Sequence, residues 1–361
     1  MAALQPQTGL EQDTQLFAPK KLDDSYKYGR PMWNLGKGDS MAIGYHCGEL
    51  LHFGTHKGKM VSLDISGVTH DGGKIKEIQC IKLLHGASHV DPSCMDVGQE
   101  HFIIGDTKGN VSTFSRVAGK CSSKNLDHKE KVSAVKISGD QLIHTGFDGY
   151  LLVRDMKLDR IVHSWISTKA PLSDMIVKDS SNLIVSSWDS SITQIDLRMK
   201  SCEQIRHSKS PIRKIVLHEE GNIVVAAHGV GGLKSIDLRN TSTPLKEYGI
   251  GNGHTDVINH IVMQKDRIFT ASDDLTVRLF DVNQDQCLER LQGHSTGILH
   301  LCLSGDLLIA SNYSGFRKYR MTDIDNALAE IERRRQALQE VQKKDEPAQG
   351  KGAKKKKKKK K

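Results

Sequence analysis

The amino-acid sequence predicts an all-β fold built from repeated four-stranded units, and three observations support this prediction. The first is the segment TASDDLTVRLFDV (270–282), in which two apolar strands flank a turn at Asp273 and Asp274. The second is that apolar residues in such segments often alternate, which is typical of strands rather than helices. The third is recurrence along the chain. An isolated hairpin is only marginally stable in water, so this segment needs neighbouring strands.

The recurrence has a period of about 40 residues. Seven short apolar strands end at equivalent positions, namely Asp64, Ser115, Asp155, Asp196, Asp237, Asp281 and Arg320. Each unit holds four short apolar runs separated by turns, as in the blade of a β-propeller. Seven blades predict a closed ring over residues 25–321, which leaves only short, protected sheet edges. The last unit offers only three runs, and we expect residues 25–35 to supply its outer strand.

The opening residues of the units resemble those of the WD-repeat family of seven-bladed β-propellers. The blade from Gly253 to Leu291 matches best, with His254 at its start, Ser272 on its second strand and Asp274 at its tight turn. In that family a His, a Ser and an Asp belong to a hydrogen-bonded set that a Trp on the third strand completes. The resemblance implies this structural role for His128, His254, His294, Ser272, Asp148, Asp189 and Asp274.

The family's Trp is absent from every unit of this chain. Its position holds Leu63, Phe114, Arg154, Ile195, Ile236, Phe280 and Tyr319. The array is therefore degenerate in its motifs although its period is regular.

Two groups of residues are candidates for binding partners. In this architecture the turns between second and third strands line one face of the disc, and the residues before the turn aspartates are Phe147, Trp188, Asp273 and, in the last blade, Asn312. Exposed aromatic residues are common anchors of protein interfaces. They could instead simply fill the central mouth of the disc. On the opposite face, Arg198 and Arg239 belong to a repeated IDLR, which is similar to the paired WDxR motif of ubiquitin-ligase substrate receptors. A local Asp–Arg salt bridge is the alternative.

Nothing in the sequence predicts catalysis. The seventeen histidines do not converge on one site, and HExxH, paired CxxC and GxSxG motifs are missing. We therefore expect no catalytic residue, bound metal or cofactor. The seven scattered cysteines favour reduced thiols, and hence a cytoplasmic or nuclear protein. We expect no secretory signal and no transmembrane segment, because no apolar run approaches the roughly 18 residues that a spanning helix needs.

The C-terminal part of the chain changes character after Met321. Residues 322–345 are rich in helix-forming residues and predict a helix, with Thr322 and Asp325 as a capping box. We expect this helix to pack on the disc or to dock into a partner. Residues 346–361 are predicted to form a disordered tail. Its lysines are Lys351, Lys354, Lys355, Lys356, Lys357, Lys358, Lys359, Lys360 and Lys361.

The charge of the whole chain resides in that tail. Removing its nine lysines from the formal net charge of +9 leaves residues 1–350 with a formal net charge of zero. The favoured hypothesis is a non-enzymatic, monomeric scaffold that holds other proteins in a complex, preceded by an N-terminal extension (1–24). One alternative is a factor associated with ribosomes or other ribonucleoproteins, whose tail contacts RNA or another polyanion. The other alternative is a substrate receptor of a cullin-type ubiquitin ligase.

Overall fold

The computed structural model describes residues 30–34, 41–47, 50–68, 76–85, 88–89, 91–118, 120–166, 170–206, 210–241 and 245–345. Within these ranges the strands form seven four-stranded antiparallel sheets and one small two-stranded sheet. The four-stranded sheets are called blades 1 to 7 in chain order. The prediction of a seven-bladed β-propeller followed by a C-terminal helix is confirmed.

The first described strand is β1 (Arg30–Asn34). Blade 1 contains β2 (Met41–Cys47), β3 (Leu50–Thr55), β4 (Lys59–Asp64) and β5 (Lys76–Lys82), and the hairpin β6 (Leu84–His85) and β7 (Ser88–His89) follows it. Blade 2 contains β8 (Pro92–Val97), β9 (His101–Asp106), β10 (Asn110–Ser115) and β11 (Cys121–Leu126). Blade 3 contains β12 (Val132–Ser138), β13 (Gln141–Gly146), β14 (Tyr150–Asp155) and β15 (Arg160–Ile166).

Blade 4 contains β16 (Leu172–Val177), β17 (Asn182–Ser187), β18 (Ser191–Asp196) and β19 (Ser201–Arg206). Blade 5 contains β20 (Ile212–Leu217), β21 (Ile223–His228), β22 (Gly232–Asp237) and β23 (Lys246–Tyr248). Blade 6 contains β24 (Ile258–Gln264), β25 (Arg267–Ser272), β26 (Val277–Asp281) and β27 (Glu289–Leu291). Blade 7 contains β28 (Ile298–Ser304), β29 (Leu307–Asn312) and β30 (Gly315–Arg320), and the helix α1 (Met321–Asp345) follows.

The ring is closed at its centre by the first strand of each blade. These strands contact one another in the cyclic order β2, β8, β12, β16, β20, β24, β28 and back to β2. Blade 7 obtains its fourth strand from the start of the chain, because β1 pairs antiparallel with β30. Arg30 lies opposite Lys318 and Asn34 opposite Gly315. The strand β1 lies within residues 25–35, the segment expected to supply it.

The core lies between the blades. Each sheet has a neighbour on both faces, so the second strands are buried almost continuously, and all six residues of β29 are buried. Apolar clusters therefore cross the blade boundaries. In one of them Met41 and Phe53 of blade 1 pack with Ile309 and Phe316 of blade 7. The ring centroids of Phe53 and Phe316 are 5.3 Å apart in an edge-to-face arrangement.

The aspartates that mark the period have a local structural role. At the turn after the third strand, the carboxylate accepts the backbone N–H of the residue two positions later. The donors are the amides of Ser66, Lys157, Arg198, Arg239 and Asn283, and the acceptors are Asp64, Asp155, Asp196, Asp237 and Asp281. Such bonds stabilise tight turns, which accounts for the recurrence of aspartate at this position.

The helix α1 begins at Met321, directly after β30. Thr322 follows one residue after the start of the helix. Glu330 accepts hydrogen bonds from Arg333 at 3.2 Å and Arg334 at 2.9 Å. Pairs at these spacings stabilise an exposed helix. The chain divides into two compact units, Asp24–Met321 with the seven blades and a second unit that includes the helix from Thr322 onward.

Candidate interaction face

The turns between the second and third strands of the blades lie at one end of the ring, and we call this surface the turn face. It consists of residues 56–58, 107–109, 147–149, 188–190, 229–231, 273–276 and 313–314. The innermost strands begin at the same end. Backbone bonds join the two features, for example from the N–H of Phe147 to Lys131 O at 2.9 Å and from the N–H of Trp188 to Pro171 O at 2.9 Å.

Blade 6 carries a complete chain of side-chain hydrogen bonds from the turn into the sheet. Nδ1 of His254 lies 2.8 Å from Oδ2 of Asp274, and Nε2 of His254 lies 2.7 Å from the hydroxyl of Thr270. Burial lowers the pKa of His254, so the imidazole is neutral and donates to the aspartate. Burial alone would raise the pKa of Asp274, but its hydrogen bonds to His254 and Thr276 outweigh this and lower it.

The hydroxyl partner of His254 differs from the expectation. Ser272 does not bond the imidazole; its hydroxyl donates to the carbonyl of Asp256 at 3.2 Å and accepts the N–H of Asp274 at 3.1 Å. Thr270 lies two residues earlier on the same face of β25, one step deeper in the blade. Because Asp274 engages Nδ1, Nε2 points inward and reaches Thr270. The sequence pattern identified the correct face of the strand but the wrong residue.

Blade 3 repeats the arrangement with a different side chain inside. Nδ1 of His128 lies 2.9 Å from Oδ1 of Asp148, and Nε2 of His128 lies 2.8 Å from Nδ1 of His144. The third-strand residue Arg154 donates to both Asp127 and Asp159. An arginine–carboxylate network thus occupies the place where the WD-repeat family has tryptophan. No repeat position in the sequence marks His144 or Asp127.

Blade 7 replaces the turn aspartate with an amide. Nδ2 of Asn312 lies 3.2 Å from Nδ1 of His294, and Oδ1 of Asn312 accepts the N–H groups of Ser314 and Gly315. Asn312 is buried, so its expected role in binding a partner is wrong. Tyr313 is the exposed large side chain of this turn. Burial lowers the pKa of His294 to about 3.

The remaining turn carboxylates are also engaged within the protein. Asp189 accepts the N–H of Ser191 at 3.0 Å and the side-chain amide of Gln204 at 3.2 Å. Asp273 accepts the side-chain amide of Asn259 at 2.7 Å. Asp189 therefore stabilises its own turn and joins it to β19. Asp273 supports the start of β24 and is not a free acidic group on the turn face.

Phe147 and Trp188 lie together on the turn face. Their ring centroids are 5.1 Å apart with an interplanar angle of 60°. Trp188 is 38% exposed. The ammonium of Lys131 lies 5.5 Å from the centroid of the Phe147 ring, and the guanidinium of Arg213 lies 5.8 Å from that of Trp188. The sequence placed both rings on this face, but it did not reveal the two cations.

Apolar exposure continues around the turn face. The turns of the next three blades carry the exposed residues Val230, Leu275 and Tyr313. Five consecutive turns, from blade 3 to blade 7, thus present a partly or largely exposed apolar residue. Contiguous apolar exposure is a mark of interaction surfaces. These three residues lie at different positions within their turns, so they do not share one repeat position in the sequence.

On the opposite face, Arg198 and Arg239 stand at equivalent turns of blades 4 and 5. The guanidinium of Arg239 donates to Asp237 at 2.7 Å, and this hydrogen bond helps to lower the pKa of Asp237 to about 2. The backbone N–H of Arg198 donates to Asp196 at 2.9 Å. Arg239 thus forms the local salt bridge of its own turn.

The nine tail lysines lie outside the described residues. Within the described part of the chain, no group of three or more His, Cys, Asp or Glu side chains is arranged to hold a metal ion. None of the helices described there has the length and apolar character needed to span a membrane.

No family model matches this chain, and no curated protein matches it in sequence. Many solved structures have similar folds, and two of them cover most of this chain. The structure described as U3-55K is 15% identical, with a TM-score of 0.63, over 78% of this chain and 90% of that chain. A crystal structure of the computationally designed Ika8 protein is 13% identical, with a TM-score of 0.62, over 81% of this chain and 100% of that chain. At these identities the likeness shows a shared fold alone.

Proposed function

We propose that this protein is a non-catalytic WD-repeat scaffold that holds a protein partner on its turn face. The observation that carries the proposal is the contact between half-buried Phe147 and exposed Trp188, which Lys131 and Arg213 flank. Aromatic and arginine side chains are enriched among the residues that dominate interface energies. The His–Asp pairs of blades 3 and 6 support the assignment to WD repeats. The rigid ring suits presentation of such a surface.

The test is a Phe147→Ala/Trp188→Ala double variant of the full chain. An anchor residue typically contributes at least ~2 kcal/mol to binding, so we expect a partner's affinity to fall about thirtyfold. The matched control is Leu158→Ala/Met199→Ala, which removes two exposed apolar side chains from turns at the opposite end of the blades. The proposal is supported if wild type and control capture a partner that the Phe147→Ala/Trp188→Ala variant does not capture. The melting temperature of that variant should be unchanged. Unfolding of the Phe147→Ala/Trp188→Ala variant would mean that these two aromatic side chains belong to the core.

A second proposal concerns the C-terminal lysines. Nine lysines among the last eleven residues form a dense array of point charges, and lysine binds phosphate without reading sequence. We infer that the tail adds a sequence-independent contact with RNA or another polyanion. The ubiquitin-ligase alternative has less support, because Asp237 already engages the guanidinium of Arg239.

A further inference from the structure

On the turn face, the carboxylates are engaged by hydrogen bonds within the protein, whereas two of the cations are not paired with carboxylates in the described part of the chain. The carboxylates of Asp148, Asp189 and Asp273 accept hydrogen bonds from within the protein. Lys131 and Arg213 lie over aromatic rings instead. Among the described residues, no carboxylate forms a salt bridge with either of these two cations. The aromatic pair is therefore flanked by two positive charges that form no salt bridge with a carboxylate of the described residues.

Further cations crowd the same region. Lys214, the neighbour of Arg213 in β20, reaches Asp174 of blade 4 at 3.2 Å. Burial lowers the pKa of Lys131, and the positive charges of Lys214 and Arg213 lower it further, while the more weakly acting Asp91 raises it without reversing the shift. A bound anion would relieve this repulsion. The region thus favours a ligand that brings negative charge next to an apolar group.

We propose that the partner segment on this face is an acidic peptide, whose carboxylates pair with Lys131 and Arg213 while an apolar side chain packs on Phe147 and Trp188. The inference rests on the proposed scaffold function and specifies the chemistry of its partner. Carboxylates bind guanidinium groups with strong, directional hydrogen bonds. The exposed Val230 and Leu275 extend the apolar contact toward blades 5 and 6.

Single-stranded RNA is the competing anionic ligand, and the geometry favours it less. Bases bind by stacking flat on exposed aromatic faces. Here the two rings are tilted by 60° against each other, and each has a cation over its ring. A nucleic-acid backbone also requires a continuous basic path, whereas residues 1–350 have a formal net charge of zero.

The experiment measures binding of labelled peptides to the full-length protein by fluorescence anisotropy. The acidic probe is Glu-Glu-Asp-Leu-Phe-Asp-Glu-Glu, its neutral counterpart replaces each acid by the matching amide, and a basic counterpart carries Lys at the same positions. The variant is Lys131→Ala/Arg213→Ala. The matched control is Lys157→Ala/Arg198→Ala, which removes one lysine and one arginine from turns at the opposite end of the blades. Because the lysine tail would also bind the acidic probe, each protein is measured both as the full chain and as residues 1–350, and the comparison between variants is made in the shorter chain.

We expect wild type and control to bind the acidic probe and the Lys131/Arg213 variant to lose at least roughly tenfold in affinity, equivalent to one charged pair. Charge reversal, Lys131→Glu/Arg213→Glu, should transfer the preference to the basic probe. Equal binding of the neutral and acidic probes would overturn the charge assignment while leaving the scaffold function standing. An equal loss in the control, or oligouridine binding that depends on Lys131 and Arg213, would also overturn it. Failure of the scaffold function is recognised separately: the Phe147→Ala/Trp188→Ala variant would then fold and still capture every partner.

Discussion

The Nδ1 atom of His254 lies 2.8 Å from the Oδ2 atom of Asp274, and this hydrogen bond joins the start of blade 6 to its central turn. The same carboxylate accepts the N–H of Thr276 at 3.0 Å and that of Thr255 at 3.3 Å. The hydroxyl of Thr276 donates to it as well, so one buried carboxylate accepts from four donors in two segments.

Asp274→Ala should therefore be strongly destabilising. It leaves the buried N–H of His254 without an acceptor, and removal of one partner from such a site costs about 3 kcal/mol. Chemical denaturation measures the loss. The control is Asp140→Ala, which removes an exposed carboxylate paired with Lys157 and should cost under about 1 kcal/mol. Equal losses in the two variants would contradict the structural role assigned to Asp274.

Stability should fall as the pH drops from 6.5 to 5. Burial lowers the pKa of His228 to about 4 and that of His294 to about 3, and it also lowers those of His144, His254 and His260. In this window the unfolded chain binds protons that the folded chain does not, so acid favours unfolding. Each such histidine contributes at most about 1.4 kcal/mol per pH unit. Asp274 does not contribute here, because its lowered pKa affects stability only below about pH 4.

Denaturant midpoints at several pH values between 7.5 and 5 test this expectation. The variant His294→Gln removes one buried imidazole and should show a shallower dependence on pH. A free energy of unfolding that is constant over this range would show that the histidines titrate normally.

Gly109 and Gly139 provide a matched pair of turn glycines. Both have positive φ, 89° and 59°. A Cβ at Gly109 would overlap the backbone carbonyl of His128, whereas one at Gly139 would meet no atom within 4 Å. Gly139→Ala should cost about 1 kcal/mol from backbone conformation alone. Gly109→Ala should cost several times more, because the start of blade 3 must shift. Similar melting temperatures for the two variants would contradict the close contact between blades 2 and 3.

The sequence predicted the number of blades because the period is carried by local chemistry. Asp196 and Asp237 recur because each accepts a hydrogen bond from the turn that follows it. A requirement that involves only neighbouring residues can be recognised from the sequence. Contacts between blades are less visible. Asp174 bonds Lys214 and the N–H of Ile215, one repeat further along. The residues around Asp174 in the sequence do not predict that its carboxylate bonds Lys214 and Ile215.

The motif residues were predicted only as far as the turn geometry repeats. Asn312 was expected on the surface because it was aligned with Asp273, but the two residues are not structurally equivalent. Asn312 pairs with Ile298 as Ser272 pairs with Ile258, so it ends β29, and its side chain binds His294. Thr270 was missed because two hydroxyl residues share one face of β25. Of the two cations beside Phe147 and Trp188, Lys131 directly precedes the innermost strand of blade 3, and Arg213 lies in the innermost strand of blade 5. They meet the rings only in three dimensions.

Removal of β1 should expose the edge of blade 7. A chain that lacks residues 1–36 leaves the backbone groups of β30 without a partner strand, and such edges aggregate or exchange strands between molecules. We expect it to be insoluble or strongly destabilised. A chain that lacks only residues 1–24 retains β1 and should melt at the wild-type temperature. Thermal unfolding and size-exclusion chromatography measure both effects, and a stable monomer lacking residues 1–36 would contradict closure by β1.

The last prediction concerns the lysines of the tail. Because this segment has no aromatic residue to stack on bases and no arginine, it should bind any polyanion by charge alone. On single-stranded RNA each neutralised phosphate contributes about −0.7 to the log–log salt slope, so six to nine contacts give a slope of roughly −4 to −6. Affinity for a mixed-sequence RNA should be measured against salt for the full chain and for residues 1–350. The shorter chain has zero formal net charge and should lose this binding. If it keeps most of the affinity, or discriminates between RNA sequences, the propeller itself carries a basic surface that the net charge conceals.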